Sequence, residues 1–298
     1  MRQKLNLFTL IFAAAALALG VTPSAQATEP CDDFGECKAL IEINASDGDI
    51  GFHFLMDGDN LVGARMHDPN GVKLFQDRAY GPLREQYLTE MFAESAEPLC
   101  WDDPEAEEDD EIVTLEEFLD RWTSGTYVVS GVDGEGEMVE GETELTFDLP
   151  AAPDEDALDF DEGVITWAPG DDLGNCADYA DLMGLVTGGV LDTHPADVPV
   201  AAWEIVLEPD VESDHPNNGL KFSIRVAGDI DEEDMEITVP EEYLDSLEEN
   251  TPVKVEVGAI GFDDNATFSE ADGFCANEEG DGCEEEEEEE EGSIKFGT

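Results

Sequence analysis

Residues 39–80, "ALIEINASDGDIGFHFLMDGDNLVGARMHDPNGVKLFQDRAY", decide the fold class of this chain. Apolar residues alternate with polar ones in short runs, which is the pattern of strands with one buried face. The runs are separated by Asp-Gly, Asp-Asn and Pro-Asn-Gly, and one turn is expected at residues 57–60. The stretch therefore predicts a series of antiparallel strands.

Two short helices are predicted after these strands. The first lies near residues 83–94, where apolar residues recur at helical spacing. These are Leu83, Tyr87, Leu88, Met91 and Phe92. The second, at residues 115–123, begins after a capping box made by Thr114 and Glu117 and ends before Gly125. Its apolar stripe includes Trp122 and is expected to face the core.

Short strands continue on both sides of residues 151–156, "AAPDED", which we interpret as a linker. The linker would separate an N-terminal β-rich domain, residues 28–150, from a second domain at residues 157–275. Repeated apolar alternation in the second region is typical of a two-sheet sandwich. The expected fold class is therefore mostly β, with two tandem antiparallel β-sandwich domains.

The second region resembles a fibronectin type III domain. Trp167 and Trp203 stand on early strands, and residues 247–269 read "LEENTPVKVEVGAIGFDDNATFS". The positions that match the family's pattern there are Leu247, Thr251, Val255, Val257 and Ala259. The resemblance covers about residues 157–275 and implies a sandwich fold. It implies no particular function, because proteins that share this fold have many different functions.

Two departures from the fibronectin type III pattern stand out. Val253 occupies the position of the family's tyrosine, so the hydrogen bond of the tyrosine corner is not expected. An insertion at residues 170–198, which contains Cys176, separates the two tryptophan strands. The first half, with "DGDIGFH" and "FLDRWTSGTYVVSG", resembles the partner domain found beside such modules in uncharacterised exported bacterial two-domain proteins. That resemblance implies no enzymatic activity.

The amino terminus has the three parts of a secretory signal peptide. Arg2 and Lys4 precede an apolar stretch at residues 5–21, and Ala-Gln-Ala at residues 25–27 predicts cleavage near Ala27. The apolar stretch is shorter than the roughly 20 residues that a spanning helix needs. The residues before Cys31 do not resemble a lipobox, so lipidation is not expected. We expect a secreted or periplasmic protein.

The charge is extremely unbalanced, with 12 Lys and Arg against 77 Asp and Glu. Such a surface repels nucleic acids and anionic membranes. Adaptation to saline surroundings is the simplest explanation, because the Debye length falls to about 3 Å in molar salt and repulsion is then screened. We expect dilute buffer to loosen the fold, and circular dichroism that is unchanged between dilute buffer and molar salt would contradict this.

Two segments are too acidic to build a core. Residues 100–111, "CWDDPEAEEDDE", predict an exposed loop. Residues 276–298 contain eight consecutive glutamates at residues 284–291 and predict an extended, disordered tail. In so acidic a chain the glutamate run makes the net charge more negative but does not change its sign. A specific role for it as a cation grip is therefore not favoured over solubility.

All six cysteines follow the signal peptide, and an even number in an exported protein predicts disulfides. Six cysteines allow 15 connectivities, among which the sequence does not decide. Proximity favours Cys31 with Cys37 and Cys275 with Cys283, which leaves Cys100 with Cys176. The alternative, a zinc site, lacks the C-x-x-C spacing and a nearby histidine.

Motifs for catalysis are not found: the sequence has no G-x-S-x-G elbow, H-E-x-x-H helix, phosphate-binding loop or dinucleotide fingerprint. His53, His67, His194 and His215 are scattered, so a zinc site made from them is not expected. His53 is interpreted as a packed strand residue. Carboxylates are so numerous that no acid pair can be selected from the sequence.

Calcium is the ion that the sequence favours. Asp47, Asp49, Asp57 and Asp59 place carboxylate oxygens in short "DGD" segments, and oxygen is the ligand calcium prefers. The spacing does not match an EF-hand, and aspartates are also common turn residues. Each cluster therefore has two interpretations, a turn and a calcium site, of which the turn is favoured.

Together these features predict an exported, non-catalytic binding or structural module that contacts a protein or glycan partner at or outside the cell surface. No cofactor is expected apart from weakly bound calcium, and no nucleic acid partner or membrane span is expected. The alternative is a secreted hydrolase that uses an Asp/Glu pair. A deep cleft with two facing carboxylates would favour the enzyme, and shallow surfaces would favour the binding module.

Overall fold

The computed structural model describes residues 31–101, 112–178, 180–229, 235–277 and Cys283. The predicted signal peptide, most of the acidic loop and almost all of the acidic tail lie outside these residues. The described strands are β1 Glu36–Asn44, β2 Asp49–His67, β3 Lys73–Arg78, β4 Leu88–Glu94, β5 Gly125–Asp133, β6 Met138–Leu145, β7 Asp159–Asp161, β8 Val164–Thr166, β9 Val200–Pro209, β10 Phe222–Ala227, β11 Glu236–Thr238, β12 Thr251–Gly261 and β13 Ala266–Ala276. The described α-helices are α1 Gly81–Gln86, α2 Leu115–Leu119, α3 Asn175–Asp178, α4 Leu182–Gly188 and α5 Glu241–Leu244. The predicted mostly-β class is confirmed.

One large mixed sheet runs through both halves of the chain. Its strand order is β10-β9-β12-β13-β1-β2-β5-β6, and β3 and β4 also pair with β2. The pairing of β1 with β13 is parallel, whereas the other pairings in the sheet are antiparallel. A second, three-stranded sheet has the order β11-β8-β7. The architecture is consistent with a β-sandwich, and the division into two tandem domains stays a prediction.

Strand β2 is longer than the sequence predicts. The expected turn at residues 57–60 is wrong, because β2 continues to His67 with shifts of register near Asp57 and Leu61. Asn60 adopts a positive φ of 56° there, a conformation that asparagine tolerates better than most residues. The irregularity lets β2 pair with β1 in its first part and with β5 in its second part.

The helix predicted at residues 83–94 is also wrong over most of its length. Helix α1 ends at Gln86, and residues 88–94 form strand β4. Tyr87 separates the two elements with a φ of 68°, which does not continue a right-handed helix. Strand β4 then pairs with β2, so long-range hydrogen bonds replace those of the expected helix.

The second predicted helix is confirmed in its N-terminal part. Thr114 Oγ1 accepts a hydrogen bond from the Glu117 amide at 3.3 Å, and Glu117 Oε2 accepts one from the Thr114 amide at 3.3 Å. Helix α2 ends at Leu119 rather than at residue 123. Trp122 follows it and stacks on Phe52, with ring centroids 4.0 Å apart. The apolar stripe therefore belongs to the core.

The second half places the three-stranded sheet against the strands β10-β9-β12-β13, with a separate core between them. Trp167 and Trp203 lie in this core with ring centroids 6.4 Å apart. Alternate residues of β12 are fully buried, as the alternation in the sequence predicts. They are Val253, Val255, Val257 and Ala259.

The insertion at residues 170–198 packs on the first core rather than on the second. Its buried residues in that core are Leu173, Cys176, Leu182, Leu185 and Leu191. Residues 150–153, at the start of the predicted linker, are also buried. The side chains of Thr267 and Ser269 donate hydrogen bonds of 2.7 Å to the carbonyl oxygens of Pro150 and Pro153. The chain between the two halves is therefore held against β13.

Three disulfides join Cys31 to Cys37, Cys100 to Cys176 and Cys275 to Cys283, the pairs that proximity favours in the sequence. The Cys100–Cys176 bond ties the segment after β4 to helix α3 in the insertion. Among the described residues, no helix is long and apolar enough to cross a membrane.

Candidate functional site

A cluster of carboxylates surrounds His53 on the half-exposed face of β1, β2 and β4. In the pairing register His53 lies directly opposite Leu40 on β1 and Glu94 on β4. Residues at even positions of β1, including Glu42, face the same side, while the odd positions of β1 face the core. The alternation that builds the core therefore also places Glu42, His53 and Glu94 together on the opposite face.

His53 itself is buried, with 6% of its surface exposed. Its Nε2 atom lies 3.1 Å from Glu97 Oε1, within hydrogen-bond distance. Its Nδ1 atom lies 3.8 Å from Glu42 Oε2, which is an ion-pair distance. The edge of the Phe92 ring packs near the imidazole at a centroid distance of 6.0 Å. The ring is thus fixed between two carboxylates.

The geometry fits a divalent cation. One ligand atom each from His53, Glu94 and Glu97 can be chosen so that all three lie within 4.8 Å of one another. An imidazole nitrogen with carboxylate oxygens suits zinc and similar first-row metals. Glu42 lies on the Nδ1 side of the ring at 3.8 Å, which is too long for a hydrogen bond but places a negative charge beside the imidazole.

Gly51 leaves the space that this cluster occupies. A Cβ atom at this position would lie 2.8 Å from His53 Nε2 and 2.9 Å from Glu97 Oε1. These are ends of side chains, so an alanine would displace them without a clash against the backbone. Glycine at position 51 therefore makes room for the side chains of His53 and Glu97, whereas the backbone of β2 would accept an alanine here.

Burial beside the cluster favours the protonated forms of two carboxyls, those of Asp49 and Glu42. Burial is the main reason that the pKa of Asp49 rises to about 7, and the charges of Glu97, Asp47 and Glu42 add to the shift. Burial also raises the pKa of Glu42, opposed by His53 and supported by Glu97. A cation bound here would relieve this repulsion and release protons.

The substitution Asp49→Asn is expected to flatten the pH dependence of stability. Because the folded pKa is about 7 and the unfolded value is about 3.9, the folded chain binds a proton that the unfolded chain does not. The stabilisation from this proton is complete below about pH 4 and is lost as the pH rises to about 7. The variant should therefore be more stable than the wild type at pH 8, by about 1 kcal/mol after solvent screening.

Urea unfolding at pH 5 and pH 8 measures this difference. Asp59→Asn is the control, because it removes the same charge from an exposed position on the same strand. If the wild type and Asp49→Asn lose equal stability between the two pH values, Asp49 does not titrate as described.

The four aspartates predicted as calcium ligands fall into two separate places. Asp47 lies in the turn before β2 and Asp49 at the strand's start, while Asp57 and Asp59 lie farther along β2. Eight residues of strand separate Asp49 from Asp57, which is roughly 26 Å. Asp47 Oδ2 accepts a hydrogen bond from Asn44 Nδ2 at 2.8 Å, a turn-stabilising contact. The pairs therefore do not form one site.

The sequence identifies His53 as a packed strand residue but misses Glu94 and Glu97. Glu94 falls in the segment that the sequence predicts as helix, and that error hides its position opposite His53. Strand alternation in residues 88–94 is the signal that finds it. The side chains of His194 and His215 make local hydrogen bonds instead. The Nδ1 atom of each accepts a hydrogen bond from the backbone amide two residues later.

No family model and no curated protein matches the chain. The chain is similar to a tetra-tandem repeat in the extending region of a large adhesion protein, with 10% identity, a TM-score of 0.23, and coverage of 80% of this chain and 50% of that one. It is also similar to a structure of a 1.5-MDa bacterial ice-binding adhesin concerned with host cell surface retention, with 11% identity, a TM-score of 0.23, and coverage of 85% and 66%. The chain thus spans between half and two thirds of those chains.

Proposed function

We propose that this chain is an exported, non-catalytic binding or structural module that contacts a protein or glycan partner at or outside the cell surface. The signal-peptide pattern supports export, and three disulfides support an oxidising compartment. The strongly acidic composition supports a soluble protein in saline surroundings.

The observation that carries the structural part of the proposal is the convergence of His53, Glu94 and Glu97 on an open sheet face. A cation there would connect β2 with the end of β4 and with the segment that leads to Cys100. Because the unfolded chain does not hold these three residues together, binding would stabilise the folded state. We assign the cation a structural role.

Zinc or a similar metal is favoured over calcium at this site. Calcium selects oxygen ligands almost entirely, whereas zinc combines imidazole nitrogen with carboxylate oxygen. Calcium binding by Asp47 with Asp49, or by Asp57 with Asp59, is the weaker proposal, because each pair offers two carboxylates and calcium takes about 6 to 8 oxygen ligands.

A fibronectin type III-like second region is part of the proposal. It is supported by a sandwich of three strands, β7-β8-β11, against four, β10-β9-β12-β13. The tyrosine-corner position holds Val253, but Tyr243 in the connection before β12 donates a hydrogen bond of 3.0 Å to the Leu207 carbonyl. A different tyrosine therefore ties this connection to β9.

Zinc is expected to raise the thermal unfolding temperature of the wild type by about 5 to 10 °C at saturating concentration, because ligand binding to the folded state alone shifts the equilibrium. The rise should disappear in His53→Gln, which removes the nitrogen ligand. Differential scanning fluorimetry with and without a chelator measures the effect.

His67→Gln is the matched control, since His67 lies on the same strand but outside the cluster. The control should keep the full zinc response. An equal response in wild type and His53→Gln would show that zinc binds elsewhere on the acidic surface and would remove the structural site.

A hydrolase is the second candidate function, favoured by one observation. Burial, together with the charge of Glu97, raises the pKa of Asp49 to about 7, so this carboxyl holds a proton about half of the time at neutral pH. A protonated acid next to an ionised one is the pairing that glycoside hydrolysis uses. Hydrolysis of aryl glycosides by the wild type that is lost in Asp49→Asn would favour the enzyme over the module.

The contact with a partner is tested with the exported and cell-surface fractions of the source organism. Immobilised wild-type protein should retain a partner that is released by competition with the free protein. If neither fraction contains a partner that binds saturably and is displaced by the free protein, the proposed function is contradicted.

A further inference from the structure

Eight of the nine lysines and arginines in the described part of the chain, all except Arg121, fall into two groups. Lys38, Lys221, Arg225 and Lys254 each form an ion pair with a carboxylate. Arg65, Lys73, Arg78 and Arg84 are different: among the described residues, no carboxylate oxygen lies within 4.0 Å of their charged nitrogens. In a chain with 77 acidic residues, four unpaired cations within twenty positions require an explanation.

The register of the strands brings three of these cations to one groove. Arg65 on β2 lies between Gln76 on β3 and Ser130 on β5, and its Nε atom donates a hydrogen bond of 2.9 Å to Ser130 Oγ. In the neighbouring row, Gly63 lies between Arg78 and Val132. Arg84 lines the same groove from α1, and this open groove has a volume of about 540 Å³.

Three carboxylates line the groove, and those of Asp77 and Asp133 hydrogen-bond to backbone amides. Neither these two nor the third, Glu135, lies within 4.0 Å of the charged nitrogens of Arg65, Arg78 or Arg84. Asp77 Oδ1 accepts a hydrogen bond of 2.6 Å from the Arg78 amide. Asp133 Oδ1 accepts hydrogen bonds of 2.9 and 2.8 Å from the amides of Glu135 and Glu137, and so holds the hairpin turn between β5 and β6. The guanidinium groups are thus available to an external anion.

Exposed apolar side chains lie along the same segment of the chain as Arg78 and Arg84, outside the lining of the groove itself. Val72, Leu74, Tyr80 and Leu83 are all exposed, Tyr80 by 72%. The Arg78 guanidinium carbon lies 6.0 Å from the centre of the Tyr80 ring. Tyrosine and arginine are among the residues that contribute most to the binding energy of protein–protein interfaces, and exposed leucines beside them add apolar area that a partner can cover.

Strand β3 contributes a free edge to this surface. It pairs with β2 on one side, and no other described strand pairs with it. An extended segment can therefore add to β3 through backbone hydrogen bonds, with alternate side chains directed to one face. A sugar would use the arginines but would not need either the strand edge or the leucines.

We propose that residues 72–84, together with Arg65, form the docking surface for an extended, acidic segment of a partner protein in which carboxylates alternate with apolar residues. The carboxylates would bind Arg78 and Arg84 in the bidentate manner that guanidinium allows, and the apolar residues would cover Leu74, Tyr80 and Leu83. The inference rests on the proposed function and names the partner as a polypeptide. Saline screening limits the repulsion between two acidic chains to short range.

Selection from a phage-displayed library of random dodecapeptides tests the chemistry of this surface directly, whichever protein the partner is. The wild type is the target, and Arg78→Gln/Arg84→Gln is used for counter-selection in the same buffer. Enrichment of peptides with Asp or Glu alternating with apolar residues supports the proposal. Enrichment of neutral or basic peptides, or no enrichment over the double variant, overturns it.

The affinity of the most enriched peptide, measured by fluorescence anisotropy, is expected to fall at least tenfold in Arg78→Gln/Arg84→Gln and severalfold in Leu83→Ser. Arg225→Gln removes an arginine that is paired with Glu204 on β9 and should change the affinity less than twofold. Equal weakening by Arg225→Gln would show a net charge effect and would overturn the proposal. Displacement of the peptide by glucuronate but not by glucose would identify an acidic sugar site and would also overturn it.

The two proposals fail in distinguishable ways. If a partner is captured from the exported or cell-surface fraction equally well by the wild type and by Arg78→Gln/Arg84→Gln, the proposed function holds and the docking surface is wrong. Circular dichroism and the zinc response of the double variant check that its fold is intact, because neither residue contacts the His53 cluster.

Discussion

Replacement of Cys100 and Cys176 together by alanine lowers the free energy of unfolding by about 4 kcal/mol. The two cysteines are 76 residues apart, so their bond removes a large part of the conformational freedom of the unfolded chain. Both are fully buried in the first core, where the bond fixes the insertion against the segment after β4. Urea unfolding of the double variant and the wild type in the same salt measures the loss.

The disulfide between Cys275 and Cys283 provides the control. It closes a segment of 8 residues, so its removal should cost about 2 kcal/mol less than removal of the long-range bond. Equal losses for the two double variants would contradict the role given to Cys100–Cys176. The variant without the long-range bond is also expected to lose protection from proteolysis within residues 170–198, because that insertion is anchored by Cys176.

The substitution Asn265→Ala is expected to destabilise the protein by about 3 kcal/mol. Asn265 is fully buried, and its Oδ1 accepts a hydrogen bond of 2.8 Å from the Ile41 amide. Its Nδ2 donates hydrogen bonds of 3.1 Å to the carbonyl oxygens of Thr146 and Asp148. Alanine leaves these three backbone groups without their partner, and unsatisfied buried polar groups cost about 1 to 3 kcal/mol each before relaxation.

Asn218→Ala is the matched control for Asn265→Ala. Asn218 is exposed and donates a longer hydrogen bond of 3.4 Å to the Val211 carbonyl, so its loss should cost less than about 0.5 kcal/mol. Chemical unfolding measures both variants. A loss for Asn265→Ala as small as that of the control would show that residues 146–148 are not held to the start of β13 by this side chain.

Local patterns in the sequence predict the elements whose partners lie nearby. The capping box of Thr114 and Glu117 needs only its own turn, and the burial of alternate residues in β1 and β12 follows from the pleat. These features depend on local geometry and on one buried face. The tertiary contacts of the folded chain therefore leave these features as the sequence predicts them.

Features that depend on long-range pairing are not predicted. Residues 88–94 contain apolar side chains at helical spacing, yet β4 forms because β2 offers it a strand edge. Phe92, assigned to the buried face of a helix, is 58% exposed and packs near His53 instead. The turn expected at residues 57–60 is replaced by an irregular part of β2 for a similar reason, since β5 and β3 continue the pairing.

The candidate metal site illustrates the same limit. His53 and Glu94 are 41 positions apart and become neighbours only through the register of β2 with β4. Glu97 follows in the next segment, and Gly51 makes room for both side chains. Without the register, none of the 77 acidic residues is distinguished from the others.

Isothermal titration calorimetry with zinc tests the proposed structural cation site at His53 most directly. The wild type should bind one zinc ion at the His53 site, and Gly51→Ala should weaken that binding about tenfold, which corresponds to about 1.4 kcal/mol. Gly51→Ala keeps every ligand residue and should unfold in urea at nearly the same concentration as the wild type without zinc. Equal zinc affinities for wild type, Gly51→Ala and His53→Gln would contradict the claim.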